Sequence, residues 1–157
     1  MIANPTPLSQ RKIRRVDIAL LNTQEQIVAF VEVKGNNYNG VGAELQLQLY
    51  LTAAPPSVSF AFIVTNSEIK LYKWDSEALK GPVLILPTTA ALKHYDPEFG
   101  QKVVFEDYLS TLTEAWLRDL AYHWKSEEPP FQKELTTEGF TEIFTGGSTV
   151  REFALTA

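Results

Sequence analysis

The chain has 157 residues, 45% of them apolar and 11% aromatic, enough to close one core of ordinary domain size and to exclude disorder as a whole-chain state. No cysteine is present, which excludes disulfide scaffolds, zinc ribbons, iron–sulfur sites and thiol catalysis; two histidines, His94 and His123, are too few for a histidine metal cage. With 14 Lys and Arg against 19 Asp and Glu the net charge is −5, so a nucleic-acid role would need a local basic patch or metal ions rather than bulk attraction.

Met1–Gln10 has no apolar centre and predicts no secretion signal, and no window approaches the roughly 20 apolar residues of a membrane span. The expectation is a soluble, cytoplasmic domain. Arg14–Leu21 and Ile27–Gly35 are rich in β-formers, and the polar Asn22–Gln26 between them has hairpin length. Ile27 through Val31 is apolar on both pleat faces, as in a strand covered on two sides. Gly35–Gly42 reads as a loop. In Ala43–Ala54 the leucines at 45, 47, 49 and 51 alternate as in a strand. Yet Ala, Glu, Leu and Gln are strong helix formers and no β-branched residue appears between Gly42 and Leu51, so propensity favours a helix ended by Pro55-Pro56.

Ser59–Thr65 and Glu68–Trp74 predict a second hairpin about Asn66-Ser67, and Val83–Leu86 a short strand. Val104–Lys125 places Phe105, Tyr108, Leu109, Leu112, Trp116, Leu120 and Trp124 on one helical face. Glu106 and Asp107 fall in its first turn and Lys125 in its last, each complementing the helix dipole. Glu127–Pro130 reads as a linker, and Phe140–Phe144 and Thr149–Leu155 as weak strands around Gly146-Gly147.

Asp17, Glu32 and Lys34 break these local rules. A hairpin loop centred near Gln24-Glu25 pairs residues whose numbers sum to about 49, which sets Asp17 opposite Glu32 to within one position. Glu32 and Lys34, two apart on a strand, project from one face. Opposed carboxylates repel, and ionised groups beside Phe30 and Val31 are costly to bury without compensation. A hard divalent cation such as Mg²⁺ supplies that compensation, since two carboxylates, a backbone carbonyl and waters make an oxygen site. A lysine alongside can orient water and stabilise a developing oxyanion. The alternative is a structural ion-pair cluster at a sheet end.

Asp17 followed by Glu32-Val33-Lys34, with Val16 where the motif has proline, resembles the PD-(D/E)xK nuclease signature. Gln46-Leu47-Gln48-Leu49-Tyr50 is similar to the Gln-x-x-x-Tyr motif of the RecB-like branch, and Phe62–Trp74 resembles a hairpin in the N-terminal nuclease domain of type I restriction enzyme R subunits, with Ser67 replacing a glycine. The resemblance spans about Arg14–Trp74. It implies a restriction-endonuclease-like α/β fold, a mixed central sheet flanked by helices in a single domain. Residues 1–13 would be an arm, 14–126 the nuclease-like domain and 127–157 an extension packed on it.

By the same resemblance Asp17, Glu32 and the Val33 carbonyl would hold Mg²⁺, with Mn²⁺ as a substitute. Lys34 would position the attacking water, Gln46 would bond near the metal or the substrate backbone, and Tyr50 would support that helix face or touch a phosphate. The reaction would be endonucleolytic hydrolysis of DNA, and cleavage of both strands would suit a homodimer or a larger restriction-type assembly. One departure is plain: family members carry an acidic residue on a helix before the first motif, and here no Asp or Glu precedes Asp17. With the net charge, that motivates the rival reading, a nuclease-like fold kept as a nucleic-acid-binding or assembly module without turnover.

Other motifs fail or read blandly. Gly35–Gly42 lacks the Lys-Ser/Thr of a Walker loop and the third glycine of a dinucleotide loop, leaving a loop at the mouth of the site. Arg11, Lys12, Arg14 and Arg15 form the densest basic cluster, a phosphate contact or a solvated arm. His94 and His123 read as surface or helix-end residues.

Overall fold

Both expected hairpins form in the computed structural model, which describes residues 14–35, 42–102 and 104–155. The first joins β1 (Arg14–Leu21) to β2 (Ile27–Val33), and the second joins β3 (Phe60–Val64) to β4 (Glu68–Trp74). Between them α1 (Gly42–Thr52) confirms helix over strand. Its buried residues Ala43, Leu47, Tyr50 and Leu51 keep helical spacing, while Leu45 and Leu49 are 63% and 54% exposed. Leucine on both sides of the helix is why the run mimics alternation.

The chain continues through β5 (Leu79–Pro87), α2 (Thr88–Leu92), α3 (Glu106–Tyr122), α4 (Gln132–Thr137), α5 (Phe140–Phe144) and β6 (Ser148–Leu155). The six strands make one sheet in the order β5-β4-β3-β2-β1-β6. Neighbours are antiparallel except β2 and β3, which run parallel. A parallel pair cannot be closed by a tight turn, and α1 supplies its crossover. The sheet is therefore mixed, as expected for this α/β class, and residues 127–157 contribute its edge strand.

Helices cover both faces. Ala29, Val31 and Val33 of β2 and Phe60, Phe62 and Val64 of β3 pack with α3, α5 and Leu135 of α4 on one side. Phe30, Ala61 and Ile63, at the alternate positions, pack with α1 on the other. The Tyr72 hydroxyl also donates to the Glu44 carboxylate, tying α1 to β4. β6 enters beside the end of β1 through Gly146-Gly147. A Cβ on Gly147 would collide with the Leu21 carbonyl oxygen, so only glycine allows that approach.

Several expectations are corrected. Phe140–Phe144 is helical, not extended: a strand would set Glu142 on the face of both phenylalanines, whereas a helix buries Phe140 and Phe144 together and leaves Glu142 exposed. Phe140 then meets Phe60 and Phe62 edge-on, at centroid distances of 5.6 and 5.0 Å. α3 is shorter than the periodic run. It ends at Tyr122, with His123 left-handed at φ 52°, so Lys125 lies beyond its last turn. Leu109, Leu112, Trp116 and Leu120 are buried as expected, but Phe105, Tyr108 and Trp124 are 77%, 41% and 49% exposed. β5 extends past Val83–Leu86 at both ends, through Pro82, on the sheet edge where a missing N–H costs least. α2 and α4, five and six residues long, are too short for periodicity to reveal.

Candidate functional site

The β1–β2 ladder runs Ile18 to Val31, Ala19 to Phe30 and Leu20 to Ala29, all summing to 49, so Asp17 reaches the level of Glu32. There the regular alternation of β1 slips: Val16 and Ala19, three apart, both pack on the α1 side. The Asp17 carboxylate consequently lies across the strand end, where its Oδ2 accepts the Val33 N–H at 2.7 Å. The Asp17 N–H in turn points to Glu32 Oε1 at 3.4 Å. Because the N–H and C=O of a strand residue share an edge, the Val33 carbonyl also lies on the β1 side of β2.

Phe30 packs against α1, and Glu32 and Lys34 follow it on the same face. Lys34 Nζ stands 3.6 Å from Glu32 Oε2 and donates to Gln46 Oε1 at 2.7 Å. The Gln46 amide is oriented by its partners. Lysine can only donate, so the oxygen faces Lys34, and the NH₂ donates to the Tyr50 hydroxyl at 2.7 Å. Asp17, Glu32, Val33, Lys34, Gln46 and Tyr50 thus form one continuous chain of contacts across β1, β2 and α1.

Electrostatics single out Glu32. It is 2% exposed, and its pKa is pushed up to about 8, first by burial and next by the Asp17 carboxylate, with Lys34 opposing only in part. Asp17 is also raised, chiefly by burial, against the Val33 N–H and Lys34. The other buried carboxylates differ. Glu114 has Arg118 at 3.4 Å, Arg151 at 3.9 Å and the Thr149 hydroxyl at 2.8 Å. Asp119 is opposed by burial but held below its ordinary value by the Lys125 and Ser126 N–H groups and the Tyr95 hydroxyl. Those two are balanced by their neighbours, whereas Asp17 and Glu32 share one lysine, and Glu32 keeps its proton up to about pH 8 instead of ionising.

The donor set fits a hard divalent cation: carboxylate oxygens on adjacent strands, a carbonyl on the same edge, and a glutamate whose ionisation a cation would favour. Among the described residues no three His, Cys, Asp or Glu side chains converge on one point.

Glu106 was not among the expected site residues. Its Oε2 accepts the Gly35 N–H at 3.2 Å, next to Lys34, and its charge helps raise the pKa of Asp17. An acid from α3, downstream in the chain, thus stands near enough to act on Asp17 electrostatically, although none precedes Asp17. First-turn position marked it only as a partner of the helix dipole, and nothing in its spacing pointed to β2. Arg151 of β6 acts on Asp17 in the opposite sense.

Arg11 and Lys12 and the loop residues 36–41 lie outside the described residues, while Arg15 pairs with Glu152 at 3.8 Å. His94 and His123 both meet Ser126 beyond the C-terminal end of α3, whereas Glu106 is at the other end. No helix among the described residues is long and apolar enough to cross a membrane. No protein-family model, curated protein or solved structure matches the chain.

Proposed function

We propose that this protein is a Mg²⁺-dependent DNA endonuclease of restriction type, hydrolysing phosphodiester bonds at Asp17, Glu32 and Lys34. The observation that carries the reading is the buried Glu32 raised to about 8 beside Asp17, with a single lysine at 3.6 Å. Structural ion pairs offset their charges, as Glu114 does with two arginines. A buried carboxyl that holds its proton until a cation takes the proton's place suits a cation-dependent site.

The residues take distinct roles. Asp17 and Glu32, with the Val33 carbonyl, would hold the cation, which would supply Lewis-acid polarisation of the phosphodiester. Val33 N–H fixes the Asp17 carboxylate through the 2.7 Å bond. Lys34 has three donors: one goes to Gln46, one faces Glu32, and the third, which meets no acceptor among the described residues, orients water or holds a phosphate oxygen as negative charge develops. Gln46, anchored by Tyr50, fixes the direction of the ammonium.

The test is relaxation of supercoiled plasmid with Mg²⁺ or Mn²⁺ by wild type, Lys34→Ala and Asp17→Ala. Loss of one charge-stabilising donor should cost about 10²- to 10³-fold. Calorimetric Mg²⁺ binding should persist in Lys34→Ala and vanish in Glu32→Ala. Equal nicking by all three proteins, or none by any, refutes catalysis. Nucleic-acid binding without metal binding would instead establish the non-catalytic module.

A further inference from the structure

The end of the sheet that carries Lys34 opens into a cleft of about 620 Å³, lined by Asn66, Ser67, Thr89, Gln101, Lys102 and Val104 among others. Its two walls are built from segments that touch the Lys34–Gly35 backbone. Lys34 N–H donates to the Val64 carbonyl at 2.8 Å, and the next residues, Thr65-Asn66-Ser67, turn to form one wall. On the other side Val104 lies two residues before Glu106, which accepts the Gly35 N–H. Two residues span at most about 7 Å, so the cleft opens at the end of β2 and β3 that carries Lys34 and Gly35, on the α3 side of the sheet.

The hairpin wall is held firmly. Thr65 Oγ1 accepts the Ser67 and Glu68 N–H groups at 3.3 and 3.1 Å. Thr88, fully buried, donates its hydroxyl to the Thr65 carbonyl at 2.8 Å and its N–H to the Ser67 carbonyl at 3.1 Å. On the opposite wall Gly100 is left-handed at φ 94°, a conformation that favours glycine and fixes the turn there.

The chemistry of the lining is specific. In a chain of net charge −5, no acidic side chain lines the cleft among the described residues; Glu98, outside the lining, pairs with Lys102 at 3.2 Å. Hydroxyls, amides and a lysine are the groups that contact sugar-phosphate backbone without reading bases. The volume lies within the range of binding clefts.

We propose that this cleft holds the DNA backbone adjoining the phosphodiester at Lys34, with Ser67, Thr89 and Lys102 as phosphate contacts. The inference rests on the nuclease reading and adds to it the path of the bound strand. It also gives the Thr65–Ser67 turn a role that the metal site does not use.

The test is fluorescence anisotropy with a short labelled duplex in EDTA, so that cleavage plays no part, across a salt series. One phosphate contact contributes about 0.9 to the slope of log affinity against log salt. Lys102→Ala should weaken binding and lower the slope by about that amount, and Ser67→Arg should tighten binding and raise it similarly. Lys80→Ala, in the hairpin at the opposite end of the sheet, controls for net charge and should leave the slope unchanged. Unchanged slopes in both cleft variants, in a wild type that binds and cleaves DNA, overturn the cleft and leave the nuclease standing. A wild type that cleaves plasmid with Mg²⁺ yet binds no duplex in EDTA also overturns the cleft alone, and one that neither binds duplex nor cleaves plasmid overturns both.

Discussion

Replacing Glu32 by Gln keeps the side-chain shape and removes the ionisation that burial and Asp17 oppose. In the folded protein Glu32 titrates at about 8 instead of the ordinary 4.5. Between those values the native state keeps a proton that the unfolded chain has released. Wild-type stability is therefore fully present below the lower value and falls as pH rises through the higher one. Each pKa unit is worth 1.36 kcal/mol, so the whole shift corresponds to about 5 kcal/mol, of which about 3 kcal/mol falls between roughly pH 5 and pH 8. For a chain of this length that is a drop in Tm of roughly 10 °C. Urea or thermal unfolding in EDTA across this range should show the decline in wild type and a flatter profile in Glu32→Gln. Subtracting the two profiles cancels every other group except Asp17, whose titration is coupled to Glu32. Mg²⁺ should restore wild-type stability most at the alkaline end, where the cation need not displace a proton. Parallel profiles for the two proteins, or wild-type stability rising with pH, would refute the account of a charge-frustrated glutamate.

Three further outcomes follow from the geometry. Gln46→Ala removes the 2.7 Å acceptor that aims Lys34 and should lower kcat of plasmid cleavage by about tenfold or more, whereas Tyr50→Phe, one bond further away, should cost less. Thr88→Val takes the hydroxyl donor from the Thr65 carbonyl at a position where Thr88 is fully buried and should lower unfolding free energy by about 1 kcal/mol, measured by urea titration. Phe62→Ala removes a ring packed edge-on against Trp116 and Phe140 and should cost about 3–5 kcal/mol, while Phe105→Ala, exposed on the helix N-cap, should stay within about 0.5 kcal/mol; comparable losses in the two would contradict the assigned core.

What the chain determines by itself is whatever local period and turn length can set. The five-residue loop Asn22–Gln26 and the apolar pattern of the flanking runs establish a register that brings Asp17 to the level of Glu32. Four-residue spacing stacks Gln46 over Tyr50 on α1. Other features depend on residues far apart in sequence, for which no local pattern exists. Glu106 meets Gly35 across 71 positions only because α3 covers the face opposite α1 and begins at the end of β2. Phe140–Phe144 becomes helical because the phenylalanines of β3 receive Phe140 edge-on and a helical turn stacks Phe144 on Phe140 on the same buried side. The proton affinity of Glu32 likewise belongs to the layers: α1 and the sheet remove its water, Asp17 adds like charge, and neither effect exists until the strands have paired and the helix has closed over them.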